Sequence, residues 1–523
     1  MIQAVLPSVA ASPCLPANIP YPTLFGAEFL SLEANLVANY SKNVPIGYYV
    51  NHGAVNVTDV SFCNVTLSYT HPGQNDKVHV QVWLPTDTWN GRLQAIGGAG
   101  WQAGLHPAGL MGMTASIGEG YSTVSTDAGL GSETTPVNWG LLSPGNANLY
   151  LLQNLASVSL NDAAVIGKSI TSSYYGQPPK YSYFNGCSQG GRQGLMLAQR
   201  YPDAFDGIAA AAPAINWNQF FVEDMYPSFL MDSLGAYPPS CEFNAITAAA
   251  IKACDAADGV VDGIITDEEA CDFDPMSLVG TVINCTNFGA ERPISSAAAT
   301  IIQGAWSGAK KLDNSSIWFG VNKDAVLTGS QTDPAVIPTT CNSNGTCTRT
   351  SFELAADWIK LFILKNSSAT VSNLTHEEFD RIAHASVQLY ESIIGTNDPD
   401  LSAFRDRGGK MITYHGTTDS IITPRGSEHY YQAVMQTDPT VRSYYRLFLA
   451  PGINHCFGGP GAFPDTTFDA MRAWVEDGVA PDTLAATSVG TTPILKRSLC
   501  PYPQRQYYNG TGNSTAGEGF YCK

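Results

Sequence analysis

Strand and helix patterns alternate in two separate stretches of this chain, and this interrupted alternation restricts the fold more than any other feature. The first stretch, from residue 78 to 213, predicts strands at 78–84, 92–96, 181–184 and 207–212, and helices at 163–175, capped by Asn161 and Asp162, and at 191–200. The second predicts strands at 410–414 and 444–449 and helices at 428–435 and 467–476. Such alternation is typical of an α/β fold with a parallel, helix-covered sheet.

The segment between the two stretches lacks this alternation. It is rich in aromatic residues and in loop-forming residues, and it holds its own cysteines. We therefore predict that residues 217–400 form one inserted domain, and that residues 1–216 and 401–523 together form the sheet domain. No internal repeat, heptad array or low-complexity tract supports a solenoid or a coiled coil.

The charge balance excludes several classes of partner. The chain has 27 basic and 45 acidic residues, and its formal net charge is −18. Because an acidic chain repels polyanions, nucleic acids and anionic membrane surfaces are not expected partners. No apolar run approaches the roughly 18 residues that a membrane-spanning helix needs. The sequence leaves the oligomeric state open.

Cysteines and glycosylation sequons indicate the compartment. The 12 cysteines fit a disulfide framework whose pairing the count leaves open: Cys14, Cys63, Cys187, Cys241, Cys254, Cys271, Cys285, Cys341, Cys347, Cys456, Cys500 and Cys522. Sequons favour a secreted glycoprotein; they lie at Asn39, Asn56, Asn64, Asn284, Asn314, Asn344, Asn366, Asn373, Asn509 and Asn513. Residues 1–16 lack a basic start and a long apolar stretch, so we expect that any signal peptide has been removed.

The run Gly186-Cys187-Ser188-Gln189-Gly190 fits a nucleophile elbow. In this motif a serine sits on a tight turn between a strand and a helix, and small residues two positions before and after it let the backbone fold on itself. The bare pattern is common, but here a predicted strand precedes it and a predicted helix follows. The context favours Ser188 as a nucleophile over an ordinary strand-turn-helix corner.

A serine nucleophile needs a base and an orienting carboxylate, and in an elbow-type fold they follow in the order Ser, Asp, His. Two loops after late predicted strands qualify, one with His415 and Asp419 and the other with His455. Because His415 precedes the acid, we interpret it as a structural loop residue. The order predicts Asp419 as the orienting acid and His455 as the general base.

Cysteines adjoin both of these residues, since Cys187 precedes Ser188 and Cys456 follows His455. If the serine and the histidine are within hydrogen-bond reach, their neighbours could lie within the roughly 4.4 to 6.8 Å Cα separation of a disulfide. A bond between Cys187 and Cys456 would then clamp nucleophile to base. The alternative is that both thiols pair elsewhere.

These residues resemble the fungal tannase and feruloyl esterase family, to which bacterial mono(hydroxyethyl) terephthalate hydrolases are also similar. The mark of the family is a Cys-Ser pair, a distant Asp and a His-Cys pair, which are here Cys187-Ser188, Asp419 and His455-Cys456. The resemblance extends over nearly the whole chain. It implies an α/β-hydrolase fold with a lid inserted between the nucleophile and the acid.

The glycine cluster Gly97-Gly98-Ala99-Gly100 has two interpretations. It fits a dinucleotide-binding fingerprint, with Glu119 at the position of the ribose ligand, but Trp101 lies in the turn and a disulfide-stapled secreted protein rarely meets such a cofactor. In a hydrolase the cluster supplies an oxyanion-hole N–H. We predict donors at Gly98 and at Gln189.

The loop of residues 255–264 carries three carboxylates and two glycines, a composition that suits Ca²⁺ or an acidic surface turn. The resemblance implies calcium, bound by the carboxylates of Asp255, Asp258 and Asp262 and by the carbonyls of Val260 and Ile264. Cys254 and Cys271 bracket this loop and would staple it shut. Catalytic zinc is not predicted, since His376-Glu377 lacks a second histidine at the required spacing.

Taken with the resemblance, the residues predict an extracellular serine esterase that releases an aromatic acid, a ferulic or related hydroxycinnamic acid, from a small ester that is free or attached to plant polysaccharide or polyphenol. A tannase acting on galloyl esters is the alternative, and an inactive hydrolase fold used for binding is the alternative of another class. An aromatic run at the start of the lid forms either lid core or a substrate platform; it comprises Trp217, Phe220, Phe221, Tyr226 and Phe229.

Overall fold

The computed structural model describes residues 13–285, 290–330, 333–342 and 346–523. The sequon asparagine Asn344 and most of the segment considered for a signal peptide therefore lie outside the described residues.

A nine-stranded sheet forms the centre of the structure, in the order β1-β2-β3-β5-β4-β6-β7-β8-β9. Its strands are β1 (Glu28–Val44), β2 (Val55–Thr70), β3 (Val78–Pro85), β4 (Arg92–Ile96), β5 (Ser122–Thr126), β6 (Tyr181–Cys187), β7 (Gly207–Ala211), β8 (Lys410–Gly416) and β9 (Tyr445–Ala450). From β5 to β9 all pairings are parallel, as predicted for the strands at 92–96, 181–184, 207–212, 410–414 and 444–449. The pairings from β1 through β3 to β5 are antiparallel, so the sheet is mixed and the prediction of a parallel strand at 78–84 is wrong.

The antiparallel pairing of β3 has a simple cause. Only a short turn separates Pro85 from Arg92, whereas a parallel crossover needs about a dozen residues or more. The chain must therefore reverse direction between β3 and β4, and β3 lies antiparallel to β5 at the start of the parallel part.

Helices cover the sheet and build most of the lid. They are α1 (Pro107–Gly118), α2 (Leu149–Ala156), α3 (Val158–Tyr175), α4 (Gln189–Arg200), α5 (Trp217–Asp224), α6 (Tyr226–Leu234), α7 (Ser240–Cys254), α8 (Ser296–Ser307), α9 (Glu353–Asp357), α10 (His376–Tyr390), α11 (Ser402–Asp406), α12 (Pro424–Thr437) and α13 (Thr467–Asp477). Small two- and three-stranded sheets are formed by Leu141–Ser143 with Asn146–Ala147, Val282–Cys285 with Ala290–Pro293, Thr339–Cys341 with Cys347–Arg349, Ala462–Phe463 with Leu484–Ser488 and Lys496–Leu499, and Gln506–Tyr508 with Phe520–Cys522.

The start of α3 differs from the prediction. The sequence predicts Asn161 and Asp162 as caps of this helix, but they lie inside it because α3 begins at Val158. The carboxylate of Asp162 instead accepts a hydrogen bond from Tyr69 at 2.8 Å and contacts His71 at 3.2 Å, on β2 and the turn that follows it. Tertiary partners therefore hold this acid inside the helix, where a local cap was predicted.

The segment between β7 and β8 adds no strand to the nine-stranded sheet in the described part of the chain. Its helices pack around one large apolar cluster that also includes Trp101 and Trp139 from the sheet side, while a second cluster lies along the sheet and α3. We use the name lid for residues 217–400, whose boundaries remain a prediction. The α/β-hydrolase class of the fold is confirmed by the solved structures described below.

Disulfides join every cysteine of the described residues, which confirms the predicted disulfide framework. The pairs are Cys14–Cys63, Cys187–Cys456, Cys241–Cys285, Cys254–Cys271, Cys341–Cys347 and Cys500–Cys522. Among the described sequons, only Asn64 is half-buried; the other asparagines are exposed. Within the described ranges, no helix is both long and apolar enough to cross a membrane.

Candidate active site

Ser188 sits at a strained turn between β6 and α4. Its backbone has φ 63° and ψ −123°, a conformation that a residue with a side chain rarely adopts. The flanking glycines make the turn possible, because a Cβ on Gly186 would lie 2.6 Å from the carbonyl carbon of Gly190. The strain and the close packing are those of a nucleophile elbow, which presents the serine hydroxyl above the edge of the sheet.

Asp419 and His455 follow the carboxyl ends of β8 and β9 and meet there. The Nδ1 of His455 lies 2.7 Å from the Oδ2 of Asp419, whose side chain is fully buried. Burial opposes ionisation of Asp419, but the charge of His455 and hydrogen bonds from His415 and His455 hold its pKa well below the usual value. Burial opposes protonation of His455, yet the charge and hydrogen bond of Asp419 and the charge of Asp333 raise its pKa above 6.5.

Ser188 and His455 line the same cavity, which has a volume of about 500 Å³. The neighbours of these two residues are covalently joined, since a disulfide links Cys187 to Cys456 with a Cα separation of 5.9 Å. The bond spans 269 positions of sequence and ties the turn after β6 to the loop after β9. Ser188, Asp419 and His455 are thus brought together at one end of the sheet.

The structure also brings His415 to this group. Its Nε2 lies 3.1 Å from the Oδ2 of Asp419, and its side chain is fully buried. Sequence reasoning interpreted His415 only as a structural loop residue. The available signal was its position at the end of β8, four residues before Asp419.

The two predicted oxyanion donors differ in availability. Gln189 is the first residue of α4, so its N–H has no acceptor within the helix. In contrast, the N–H of Gly98 donates to the Oε1 of Gln193 at 2.9 Å and is not free in this arrangement. Instead, Gly98 has a packing role, because a Cβ there would lie 2.0 Å from the Gln102 carbonyl oxygen.

Arg192, one turn into α4, is a buried residue that sequence reasoning did not single out. Its Nε donates to the Oε1 of Gln189 at 2.7 Å, and its Nη atoms donate to the carbonyls of Leu155 and Ala156. No carboxylate of the described residues pairs with it, and burial lowers the pKa of its guanidinium to about 9. The cation therefore holds the side chain of Gln189, directly after the nucleophile.

The walls of the cavity are mainly apolar. Trp217, Phe220 and Phe221 of the lid line it, together with Ile421, Ile422, Leu354 and Phe457. The other two aromatic residues of the run, Tyr226 and Phe229, pack against Phe379 in the lid core. Three residues of the run therefore line the cavity and two pack in the lid core; a role as substrate platform stays a prediction for the first three.

A buried histidine, His106, also lines the cavity. Burial lowers the pKa of its imidazole to about 4, so the side chain is neutral at neutral pH. A neutral imidazole at this position can offer a substrate a hydrogen bond without adding charge. No sequence motif pointed to this residue.

Comparison with known proteins decides the family. A family model described as tannase and feruloyl esterase matches residues 63–523. The chain belongs to the tannase and feruloyl esterase family. The resemblance inferred from the Cys-Ser, Asp and His-Cys residues is thereby confirmed, and with it the assignment as a carboxylic ester hydrolase.

Relatives of this tannase-family chain include both activities. A probable feruloyl esterase of Arthroderma benhamiae is 39% identical over 517 residues, which cover 97% of this chain and 93% of the relative. The tannin acyl hydrolase of Aspergillus niger superimposes with a TM-score of 0.85 at 27% identity, covering 97% and 94% of the two chains. Feruloyl esterase B of Aspergillus oryzae superimposes with a TM-score of 0.77 at 26% identity, covering 96% and 97%.

The acidic loop of this tannase-family chain fits a cation in part. Asp255 accepts two backbone N–H groups, Asp258 accepts one, and the Oδ2 of Asp262 pairs with Arg497 at 2.6 Å. The Oδ1 of Asp262 is buried without a partner, an orphaned acceptor that a cation would satisfy. Burial, with help from neighbouring carboxylates, raises the pKa of Asp258 and of Asp262.

Side chains alone do not complete such a site. No three His, Cys, Asp or Glu side chains of the described residues converge on one point. The predicted ligand set therefore depends on the carbonyls of Val260 and Ile264, and oxygen donors of this kind suit a hard cation. The disulfide Cys254–Cys271 closes the loop.

Proposed function

We propose that this chain is a secreted serine esterase that releases an aromatic acid from its ester through an acyl-enzyme on Ser188. The observation that supports this most strongly is the 2.7 Å contact between Asp419 and His455, beside the cavity that His455 and Ser188 both line. A neutral His455 with its proton on Nδ1 leaves Nε2 as the base. A buried, ionised carboxylate that accepts a hydrogen bond from this Nδ1–H enforces that tautomer.

The reaction would run in two halves. His455 takes the proton of Ser188 as the hydroxyl oxygen attacks the ester carbonyl, and it then returns the proton to the leaving alcohol. In the second half, water attacks the acyl-enzyme by the same proton transfers, and the acid leaves. The free N–H of Gln189, at the positive end of α4, would stabilise the oxyanion in both halves.

Hydroxycinnamoyl esters are the preferred substrate class in this proposal. Trp217, Phe220 and Phe221 give the cavity flat apolar walls, which suit a planar aryl-alkenyl acid with few hydroxyl groups. A galloyl group carries three hydroxyls, each of which loses hydrogen bonds to water unless the cavity replaces them. The name of the 39% identical relative, a probable feruloyl esterase, agrees with this choice.

Tannase activity is the second candidate, because the tannin acyl hydrolase superimposes with the higher TM-score, 0.85 against 0.77. The test is kcat/KM for methyl ferulate and methyl gallate under identical conditions, with Ser188→Ala as the control for background hydrolysis. Higher kcat/KM for methyl ferulate supports the proposal. Higher kcat/KM for methyl gallate replaces it with tannase, and failure on both, without labelling by a fluorophosphonate, supports an inactive binding fold.

Two further proposals concern the environment of the enzyme. Six disulfides and the exposed sequons support secretion into an oxidising compartment. The orphaned Oδ1 of Asp262 supports a structural Ca²⁺ in the lid, held by Asp255, Asp258, Val260, Asp262 and Ile264. In this position the ion would stabilise the lid without contacting the substrate.

A further inference from the structure

His415 makes three polar contacts in a site from which solvent is excluded. Its Nε2 lies 3.1 Å from the Oδ2 of Asp419 and 2.8 Å from the carbonyl oxygen of Ile422. Its Nδ1 lies 2.8 Å from the hydroxyl of Ser427 on α12. The side chains of His415 and Asp419 are both fully buried, so no water competes for these contacts.

These partners determine where the imidazole carries its proton. A carbonyl oxygen cannot donate, and an ionised carboxylate cannot either, so both neighbours of Nε2 are acceptors. Nε2 must therefore carry a hydrogen, which the two oxygens share. Nδ1 can then accept from the hydroxyl of Ser427, and every group is satisfied with a neutral ring. This tautomer is opposite to the one that Asp419 imposes on His455.

The carboxylate of Asp419 consequently accepts four hydrogen bonds. Its Oδ1 accepts the backbone N–H groups of Ile421 at 3.0 Å and Ile422 at 2.8 Å. Its Oδ2 accepts from both histidines, His455 at 2.7 Å and His415 at 3.1 Å. Without His415, one of the two donors on Oδ2 would be lost, and His455 alone would direct that oxygen.

We propose that His415 is a positioning residue that fixes Oδ2 of Asp419 through its Nε2–H, and thereby sets the orientation and basicity of His455. This inference rests on the proposed function of Ser188, Asp419 and His455. A donor removed from a buried carboxylate makes that carboxylate a stronger acceptor. His455 would then hold its proton more tightly, and the acid limb of the kcat/KM profile would move to higher pH.

Other ionisable groups act on the same pair and remain in every variant of the test. Glu223 and Asp224 end helix α5, and Asp224 interacts with the charge of Asp419. Asp333 of the lid acts on His455 through its charge and accepts the His455 backbone N–H at 3.3 Å. Because these carboxyl groups are the same in every variant, a difference in kcat or in the acid limb among the His415 variants reports the contact of Nε2 with Oδ2 of Asp419.

The test compares three substitutions in the full-length protein. His415→Leu removes both ring nitrogens at similar volume; His415→Gln places an amide N–H near the position of Nε2, and His415→Asn places one near Nδ1. We expect the leucine variant to lose about ten- to a hundredfold in kcat, as for a misplaced catalytic group, and to shift the acid limb upward. The glutamine variant should recover the kcat of the wild type and the pH of its acid limb, and the asparagine variant should recover neither.

Several results would overturn the inference. The first is an acid limb that does not move in a folded His415→Leu variant. The second is equal recovery of kcat by His415→Asn and His415→Gln. The second result remains decisive if His415→Leu does not fold. Neutron diffraction from the wild-type protein is an independent check, since it must show the proton of His415 on Nε2. If Ser188→Ala keeps full activity, the proposed function fails. If Ser188→Ala is inactive but the His415 variants behave as wild type, this inference alone fails.

Discussion

Removing the Cys187–Cys456 disulfide tests whether this bond fixes the relative position of the nucleophile Ser188 and the base His455. The bond spans 269 positions, and the loop-entropy relation assigns such a cross-link on the order of 5 kcal/mol. For a chain of 523 residues, an unfolding entropy of about 2.1 cal/mol/K per residue converts this into a fall in Tm of roughly 5 °C. The double variant Cys187→Ala, Cys456→Ala should therefore stay folded at 25 °C.

Activity should fall much further than stability. Cys187 and Cys456 adjoin Ser188 and His455, so release of the clamp acts directly on the reacting groups. A displacement of about 1 Å between nucleophile and base costs about a hundredfold in rate. The measurements are a thermal melt and the kcat of ester hydrolysis at the same temperature.

The disulfide Cys341–Cys347 provides a matched control. It spans only 6 positions within the lid, and the same relation assigns it about 2 kcal/mol. Its double alanine variant should lose some stability and keep its rate. The reasoning is refuted if the Cys187, Cys456 variant has a wild-type kcat, or if both variants lose activity to the same extent.

Three further predictions concern the acidic loop of residues 255–264, His71 and His455. Excess EGTA should lower the Tm if Ca²⁺ binds only the folded lid; an unchanged melting curve together with no calcium by elemental analysis excludes the site. A hydrogen bond to Asp162, assisted by Asp76, raises the pKa of His71 to about 9, so its contribution to stability is complete below pH 6.5 and is lost as the pH rises through about 9. His71→Asn should therefore lower the Tm at pH 6 more than at pH 10, and equal losses at both values would contradict this. Since the pKa of His455 is raised above 6.5 and the base must be neutral, kcat/KM should fall on the acid side with a midpoint above pH 6.5; a midpoint well below 6.5 would contradict that role.

Local patterns predicted the parts of the fold that depend on neighbours in sequence. The elbow at Ser188 was identifiable because strand, glycines, serine and helix are consecutive, and the loops after β8 and β9 follow their strands directly. The order of these elements also predicted Asp419 and His455 as acid and base, and their side chains lie 2.7 Å apart. Long edge strand β1 gave no such signal, because it is largely exposed on both faces and lacks a buried alternation.

Features that depend on distant partners could not be predicted in this way. The local pattern predicts Asp162 as a helix cap, but its partner Tyr69 lies 93 positions away. It predicts Gly98 as an oxyanion donor, but the N–H of Gly98 donates to Gln193, 95 positions away. The contact of His415 with Asp419 is close in sequence, yet its geometry depends on the placement of α12 beside β8.

The central claim is that Ser188 carries the acyl group. The most direct measurement is mass spectrometry of the protein after reaction with a fluorophosphonate, followed by peptide mapping of the adduct. The account predicts a single adduct on the peptide that contains Ser188, complete loss of turnover in parallel with labelling, and no adduct in Ser188→Ala. An adduct on another residue, or full ester hydrolysis by Ser188→Ala, would contradict it.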